Sequence, residues 1–336
     1  MRRLLLSAWA GMGNLGDDWI LSVAIDRLAP GREIGLLLEP NASPPSDAVG
    51  HSILRWPILS PRQSTIYGAA AFTETLREWD GVLFCGGGWL ADDMGLRAPS
   101  RWTWRMQLLT GVPAYAYGIG VGPFSSSLGA VLGRRILDRL KILGVRSQED
   151  AECVRRLTSQ SVRVVGDATF AAELEGHVPN SRGVVVAMPR PHAHWLPRAR
   201  WSDYVSAVTR AARQLAEGEQ VVFIAFDRDD AGFWADVAKV VEPAGYRSGI
   251  AAVASARVAL AGRFHAATAA ALTGVPAVTV AYHHKFDSLR SLGVAPISIA
   301  SFVSYDTTPV PVLPDQVSRV RRWSEDAWSR LVLSEL

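Results

Sequence analysis

Cysteine is scarce in this chain, with only Cys85 and Cys153 among 336 residues. Neither belongs to a C-x-x-C pair or to any metal-ligand spacing, which sets aside a disulfide framework, a zinc knuckle and a thioredoxin-type redox motif. Cys85 lies inside an apolar run and reads as core, and two free thiols fit a reducing cytoplasm. Long hydrophobic runs are missing as well: no stretch approaches the roughly 18 apolar residues that a membrane-spanning helix needs. An excess of one charge is also lacking. The formal net charge is +3, the sequence pI is near 9.0, and no five like charges run together. That balance is too mild to indicate a nucleic-acid partner, but it suits an anionic substrate if the excess gathers in one place. No low-complexity segment or short-period repeat occurs.

Trp is abundant, with 12. Hydrophobic residues make up 49% and charged residues 20%, a globular composition, and the length allows two domains of ordinary size. Trp201 and Trp234 fall near predicted helices and read as packing. Trp9, Trp19, Trp89 and Trp195 lie beside Gly-rich or polar loops and are candidates for stacking on sugars. The start, Met1-Arg2-Arg3 followed by Leu4-Leu5-Leu6, imitates a signal peptide. Its apolar part is only as long as one strand, however, and a Gly-rich loop and an amphipathic helix follow at once, so it reads as part of the fold.

Apolar runs of strand length alternate with helical patterns throughout. Leu4–Ala8, Ile34–Leu38, Gly81–Cys85, Ala114–Tyr117, Ile142–Val145 and Val162–Val165 read as strands. Asp17–Leu28 reads as a helix with Leu21, Ala24, Ile25 and Leu28 on one face. The Pro/Ser-rich stretch Pro40–Pro61 reads as a surface excursion. A polar stretch at Glu173–Arg182 reads as a linker. Beyond it, Gly183–Met188, Val221–Ala225, Val258–Leu260 and Ala277–Val280 are strands separated by helices. The pattern predicts an α/β fold of two Rossmann-like domains facing a cleft, with an N-terminal domain over residues 1–172 and a C-terminal domain over 183–314. A last helix over 315–336 is expected to pack back on the first domain.

The unusual residues follow strand ends, where open α/β sheets bind ligands. Gly11-Met12-Gly13-Asn14-Leu15-Gly16-Asp17 follows the first strand. Gly86-Gly87-Gly88 follows Gly81–Cys85, and Gly118-Ile119-Gly120-Val121-Gly122-Pro123 follows Ala114–Tyr117. In the second half Arg190, then Arg263 and His265, then Tyr282-His283-His284-Lys285 do the same. The first loop has the spacing G-x-G-x-x-G, but its acid some 20 residues on, Glu39, is an imperfect one and Asp17 would repel a pyrophosphate, so NAD is disfavoured. Three consecutive glycines mark a bend or a close approach to a ligand. Asp92 and Asp93 after them either contact hydroxyls or cap a helix. Arg263 and His265 sit between two apolar segments and need partners. Either a structural ion pair supplies one, or the site binds an anion at a helix N-terminus, with Arg263 and Lys285 meeting phosphate or carboxylate. The pairs His192/His194 and His283/His284 lack a clear third metal ligand and read as solvated.

Taken in order, these motifs resemble the polysaccharide pyruvyl transferase family over nearly the whole chain: Gly13-Asn14-Leu15-Gly16-Asp17, Gly86-Gly87-Gly88, Gly118 to Pro123, Arg190-Pro191, Gly262-Arg263-Phe264-His265-Ala266, Gly274-Val275-Pro276 and Tyr282 to Lys285. The resemblance implies a GT-B-like arrangement. It also implies an enzyme, a transferase that moves the carboxyvinyl unit of phosphoenolpyruvate onto sugar hydroxyls of a cell-wall or exported polysaccharide, closes a pyruvate ketal and releases phosphate. On that view His265 is the general acid and Asp17 orients or deprotonates the acceptor. Arg190, Arg263, Lys285 and Phe264 form the donor side, and Gly13, Asn14, Gly87 and Gly88 form close-approach loops. No metal and no cofactor beyond phosphoenolpyruvate as donor substrate is implied. The acceptor is a sugar or lipid-linked glycan, which leaves peripheral association at the inner membrane face open. Oligomeric state is not readable. The alternative is a GT-B glycosyltransferase with a nucleotide-sugar donor. The chain departs from the family pattern at Ala8-Trp9-Ala10 (tyrosines), His283 (Asp), Arg146-Ser147 (Arg-Asp) and Asp167-Ala168 (Asp-Pro), which bears on the acceptor and on ketal against enolpyruvyl ether as product.

Overall fold

The computed structural model describes residues 2–45, 48, 50–57, 66–92, 95–174, 183–304 and 314–329. The chain divides into two compact units. One is made of residues 1–12, 20–171 and 323–336, and the other of residues 13–19 and 172–322. Most of the linker stretch, residues 175–182, lies outside the described residues, as do Asp93 and residues 330–336 of the expected C-terminal helix.

Among the described residues of the first unit, strands β1 (Arg3–Ser7), β2 (Glu33–Leu38), β3 (Ser52–Arg55), β4 (Gly81–Cys85), β5 (Gly88–Leu90), β6 (Ala114–Val121), β7 (Leu140–Val145) and β8 (Arg163–Val164) form one parallel sheet. Its order is β3-β2-β1-β4-β6-β7-β8, and β5 pairs with β6. The Leu4–Leu6 run that imitates a signal peptide is the middle of β1, hydrogen-bonded between β2 and β4 and fully buried. Helices α1 (Leu15–Leu28), α2 (Ile66–Leu76), α3 (Arg97–Leu108), α4 (Ser127–Leu137) and α5 (Gln148–Leu157) alternate with the strands. The first turn of α1 belongs to the second unit. Continuous apolar strands such as GVLFC read as buried on both faces, and Leu5, Val82, Phe84, Ile119 and Val145 form the centre of this core. Ser147 starts α5 as a capping box with Asp150.

One expectation needs correcting. The stretch 40–61 contains strand β3 rather than being only an excursion. Ser52 and Arg55 are exposed, as is Ile53, so the strand lies at a sheet edge with little burial and carries no apolar alternation to announce it.

In the second unit, strands β9 (Val184–Ala187), β10 (Val221–Ile224), β11 (Val240–Val241), β12 (Val258–Ala261), β13 (Ala277–Ala281) and β14 (Ile297–Ser298) form a parallel sheet in the order β11-β10-β9-β12-β13-β14. Counted within the unit, that is 3-2-1-4-5-6, the order of dinucleotide-binding open sheets, and it reverses direction between β9 and β12. Helices α6 (Trp201–Ala216), α7 (Arg228–Trp234), α8 (Tyr246–Ala254), α9 (Phe264–Thr273), α10 (Ile299–Ser304) and α11 (Pro314–Ala327) complete the alternation. Tyr204 and Trp234 fill the core against Val186, Val258 and Leu260. Gly274 ends α9 in the left-handed region (φ 74°), where a side chain would be strained.

The end of α11 belongs to the first unit. Trp328 stacks on Tyr117 with ring centroids 3.9 Å apart, the Tyr117 hydroxyl donates to the Ser324 carbonyl, and Glu325 pairs with Arg27 at 3.3 Å. No helix among the described residues is long and apolar enough to cross a membrane.

Candidate active site

The second unit reverses strand order between β9 and β12, and the loops leaving those two strands are tied to each other. The carbonyl of Ala187, the last residue of β9, accepts from the amides of both Gly262 and Arg263, each at 3.0 Å. Gly262 is required there: a Cβ would stand 2.7 Å from Pro189 Cδ and 2.8 Å from Met188 Sδ. The end of β9 is anchored further. Trp234 Nε1 donates to the Met188 carbonyl at 2.7 Å, and the Tyr204 hydroxyl donates to the Pro189 carbonyl at 2.8 Å.

Arg263 occupies the N-cap of α9 without capping it. Its guanidinium turns instead to Asp230 on α7, with Nε 2.7 Å from Oδ2 and Nη2 2.6 Å from Oδ1. Asp230 is 1% exposed. Asp227 Oδ2 lies 3.6 Å from Nη1. Burial alone would lower the Arg263 pKa, but the Asp230 charge and its two hydrogen bonds outweigh burial and hold it above the ordinary value. Of the two readings of Arg263, the buried ion pair is the one the side chain adopts. Its fork holds Asp230, so the place expected for the donor anion on that fork is taken. Asp230 also accepts from the Arg190 amide at 2.9 Å, so one carboxylate fixes both strand-end loops. The Arg190 guanidinium is exposed and makes a surface pair with Asp229 at 2.9 Å. Such a pair contributes little and yields readily to a better anion.

His265, the second residue of α9, is half-buried, with the Trp19 ring 6.3 Å away edge-on and the Phe264 ring 5.1 Å away. Phe264 is itself 2% exposed and packs on Phe286 at 5.8 Å. The expectation that Phe264 touches substrate is therefore corrected: its side chain is core. Lys285 follows β13, the next strand in the sheet after β12. Its Nζ lies 5.4 Å from the Tyr282 ring centroid, and Tyr282 stacks on Trp195 at 4.9 Å. His283 Nδ1 accepts from the Lys285 amide at 3.2 Å, so this histidine shapes the turn. The His192 and His194 Nδ1 atoms face each other at 2.5 Å. No metal-binding group of three His, Cys, Asp or Glu side chains occurs among the described residues.

The loop Gly13–Trp19 belongs to this unit. The Leu15 amide donates to the Phe226 carbonyl at 2.9 Å and the Arg228 amide donates to the Gly13 carbonyl at 3.1 Å, so Asn14 and Asp227 pair as an antiparallel bridge. Gly13 has φ 87°, and a Cβ there would meet Arg228 Cβ at 3.4 Å. Asn14 Oδ1 accepts from the Gly16 amide at 3.0 Å and opens α1. Gly16 is the tightest point: its Cβ would stand 1.8 Å from His265 Nδ1. Asp17 lies in the first turn of α1, where its charge complements the helix dipole.

The glycine loops after β4 and within β6 belong to the first unit. The Gly87 carbonyl accepts from the Gly120 amide at 2.8 Å, and Gly88, exposed, opens β5 with open space where a Cβ would point. Asp92 is buried and accepts from the amides and hydroxyls of Ser125 and Ser126, so it fixes the start of α4. Glu39, the imperfect ribose acid, is locked to buried Arg105 at 2.6 and 2.7 Å, which removes the dinucleotide fingerprint.

Sequence reasoning missed Asp227, Arg228 and Asp230. The signal was present, because a buried arginine requires a counter-charge and Asp227-Arg228-Asp229-Asp230 stands one residue after the predicted strand Val221–Ala225.

The family described as polysaccharide pyruvyl transferase matches residues 14–284 of the chain. The chain belongs to that family. No curated protein matches it in sequence. Solved structures that resemble this pyruvyl transferase family member include a UDP-GlcNAc 2-epimerase from Neisseria meningitidis bound to UDP-GlcNAc, at 10% identity and TM-score 0.58, covering 99% of this chain and 100% of the other. The UDP-GlcNAc 2-epimerase from Methanocaldococcus jannaschii gives 12% identity and TM-score 0.55, with coverage of 95% and 98%. The S. aureus MnaA–UDP structure gives 11% and 0.56, with coverage of 90% and 86%. These likenesses fix the fold class as that of GT-B-type enzymes built from two parallel-sheet α/β domains.

Proposed function

We propose that this family member transfers the pyruvyl group of phosphoenolpyruvate to a sugar and that the donor binds at the strand ends of the second unit. One observation carries this reading: Arg190, His265 and Lys285 each follow, within three or four residues, one of the adjacent strands β9, β12 and β13, with the imidazole on the segment after the middle strand and a cation on the segment after each outer one. Phosphoenolpyruvate is an anion with two charged groups and one basic methylene carbon. Arg190 and Lys285 take the carboxylate and phosphate. Protonated His265 gives its proton to the methylene carbon, and an acceptor hydroxyl adds to the cationic carbon left behind and loses its own proton. Phosphate departs with the C–O electron pair, and a second hydroxyl adds and loses a proton to close the ketal. In sum, one phosphoenolpyruvate and two hydroxyls give one ketal and one phosphate. Arg263 takes part by holding Asp230 and with it the two loops. Asp17 orients the acceptor, a cell-wall or exported glycan met in the cytoplasm.

The test is acceptor-dependent phosphate release from phosphoenolpyruvate. His265→Gln is expected to lose about 10²–10⁴-fold in kcat, and Lys285→Met to raise KM for phosphoenolpyruvate. Wild-type rates in His265→Gln would remove His265 from the role of acid.

The similar solved structures bound to UDP-GlcNAc or UDP favour a second reading, a nucleotide-sugar enzyme. It predicts thermal stabilisation by UDP and none by phosphoenolpyruvate; the first reading predicts the reverse.

A further inference from the structure

The first unit reverses its strand order between β1 and β4. Trp9 stands two residues past the end of β1, one of the two strands at that reversal. Trp9 is 36% exposed. Arg101 of α3 lies over it, with the guanidinium carbon 4.8 Å from the ring centroid.

The charge around Arg101 is not balanced. Arg105, one turn further along α3, forms a buried fork with Glu39 at 2.6 and 2.7 Å and is flanked by the Trp56 and Trp102 rings at 4.7 and 4.9 Å. Glu39 is thereby committed to Arg105. Arg101 has no carboxylate within ion-pair distance among the described residues, and its Nε is buried without a hydrogen-bond partner. Burial first, and then the Arg105 cation, press the Arg101 pKa down. Arg97, one turn earlier, is exposed, and Arg55 binds the carbonyls of Glu39, Pro40 and Ala42 on the adjoining loop. This corner thus holds four arginines and one glutamate. An arginine serving only as packing buries its stem and leaves its head in water; here part of the head is buried with a donor unmet, which is costly unless a ligand meets it.

We propose that Trp9 and Arg101 form a subsite for an acidic sugar, with the apolar ring face against the indole and a carboxylate or phosphate on the guanidinium. The inference rests on the reading that this family member takes a sugar acceptor, and it names the class of that acceptor.

The test uses the full chain and titration calorimetry with three probes: a glucuronate-containing tetrasaccharide, N-acetylglucosamine 1-phosphate and the neutral chitin tetrasaccharide. At least one acidic probe is expected to bind about tenfold more tightly than the neutral one; which one it is distinguishes a carboxylate from a phosphate source. Arg101→Gln is expected to abolish that preference, and Trp9→Ala to weaken every probe. Equal affinity of the wild type for acidic and neutral probes, or an undiminished preference in Arg101→Gln, would overturn the subsite. Should Arg101→Gln fold poorly, Arg101→Lys and Trp9→Phe decide. The first keeps charge but loses the planar fork, so its preference falls, while the second keeps a ring and retains binding; an undiminished acidic preference in Arg101→Lys, or loss of binding in Trp9→Phe, counts against the proposal. Phosphate release from phosphoenolpyruvate is measured alongside. A chain that binds acidic sugars and releases no phosphate refutes pyruvyl transfer and leaves the subsite standing. Release with neutral sugars only does the opposite.

Discussion

The backbone of Gly16 lies directly against the imidazole of His265: a Cβ on residue 16 would stand 1.8 Å from Nδ1 and 2.4 Å from Cγ. Gly16→Ala must therefore push the ring aside or lift the loop. Either movement is of the size that costs about 10²-fold in rate at a catalytic group, while overpacking costs about 1–3 kcal/mol of stability. The expected result is a folded protein with phosphoenolpyruvate turnover reduced to about 1%. Comparing kcat with the thermal midpoint checks it, and normal turnover would mean that His265 has room to move without consequence.

Asp230 holds the Arg263 fork and the Arg190 amide together. Asp230→Ala leaves a buried cation with Asp227, at 3.6 Å, as its remaining counter-charge. Breaking a buried pair from one side costs about 3–5 kcal/mol. Asp230→Ala combined with Arg263→Met is expected to be more stable than Asp230→Ala alone, because no charge is then stranded. Urea midpoints for the three proteins test this. A double variant that is no more stable than the single would mean that Asp230 stabilises through its amide contacts and not through Arg263.

The sheets were legible because their strands are continuous apolar runs such as VVVA and VALA, and the strand-end loops were legible because glycines and charged residues interrupt those runs. The partner of Arg263 was harder to read. Asp230 is 33 residues away and sits in a charged run that looks like an ordinary solvated helix start. The role of Glu39 was hidden for a similar reason. It stands at a strand end as a ribose acid would, yet its partner Arg105 is 66 residues along the chain. The grouping of Gly13–Trp19 with the second unit has no local signature at all, since it depends on backbone bonds to Phe226 and Arg228. Strand β3 was hidden by its exposed edge position.

The Glu39–Arg105 pair offers a double-mutant cycle in the first unit. Arg105 is 3% exposed and Glu39 is 7% exposed. Glu39→Ala strands the guanidinium between two tryptophans and should cost about 3–5 kcal/mol. Adding Arg105→Met should recover much of that loss, since a flexible apolar chain can fill the space between the Trp56 and Trp102 rings. Additive losses in chemical denaturation would show that the two side chains act independently, contrary to their fork geometry.

Acid sensitivity should be set in part by Asp92. Burial pushes its carboxyl pKa up, but the Ser126 and Ser125 hydroxyls and amides outweigh burial and hold it below the ordinary carboxylate value. A carboxylate whose pKa is depressed by folding adds stability that is fully present above the unfolded value, about 3.9. That stability is lost as the pH falls through the lower folded value. Asn at this position keeps the shape, cannot titrate, and sets an amide N–H₂ against donors, so Asp92→Asn should be less stable than the wild type at pH 7 by about 1–3 kcal/mol. The difference should narrow on acidification, because only the wild type loses its carboxylate. Urea midpoints for both proteins at neutral pH and at two acidic values decide the matter. Curves that remain parallel would assign the acid response to other carboxylates and leave Asp92 with a purely steric part at the start of α4.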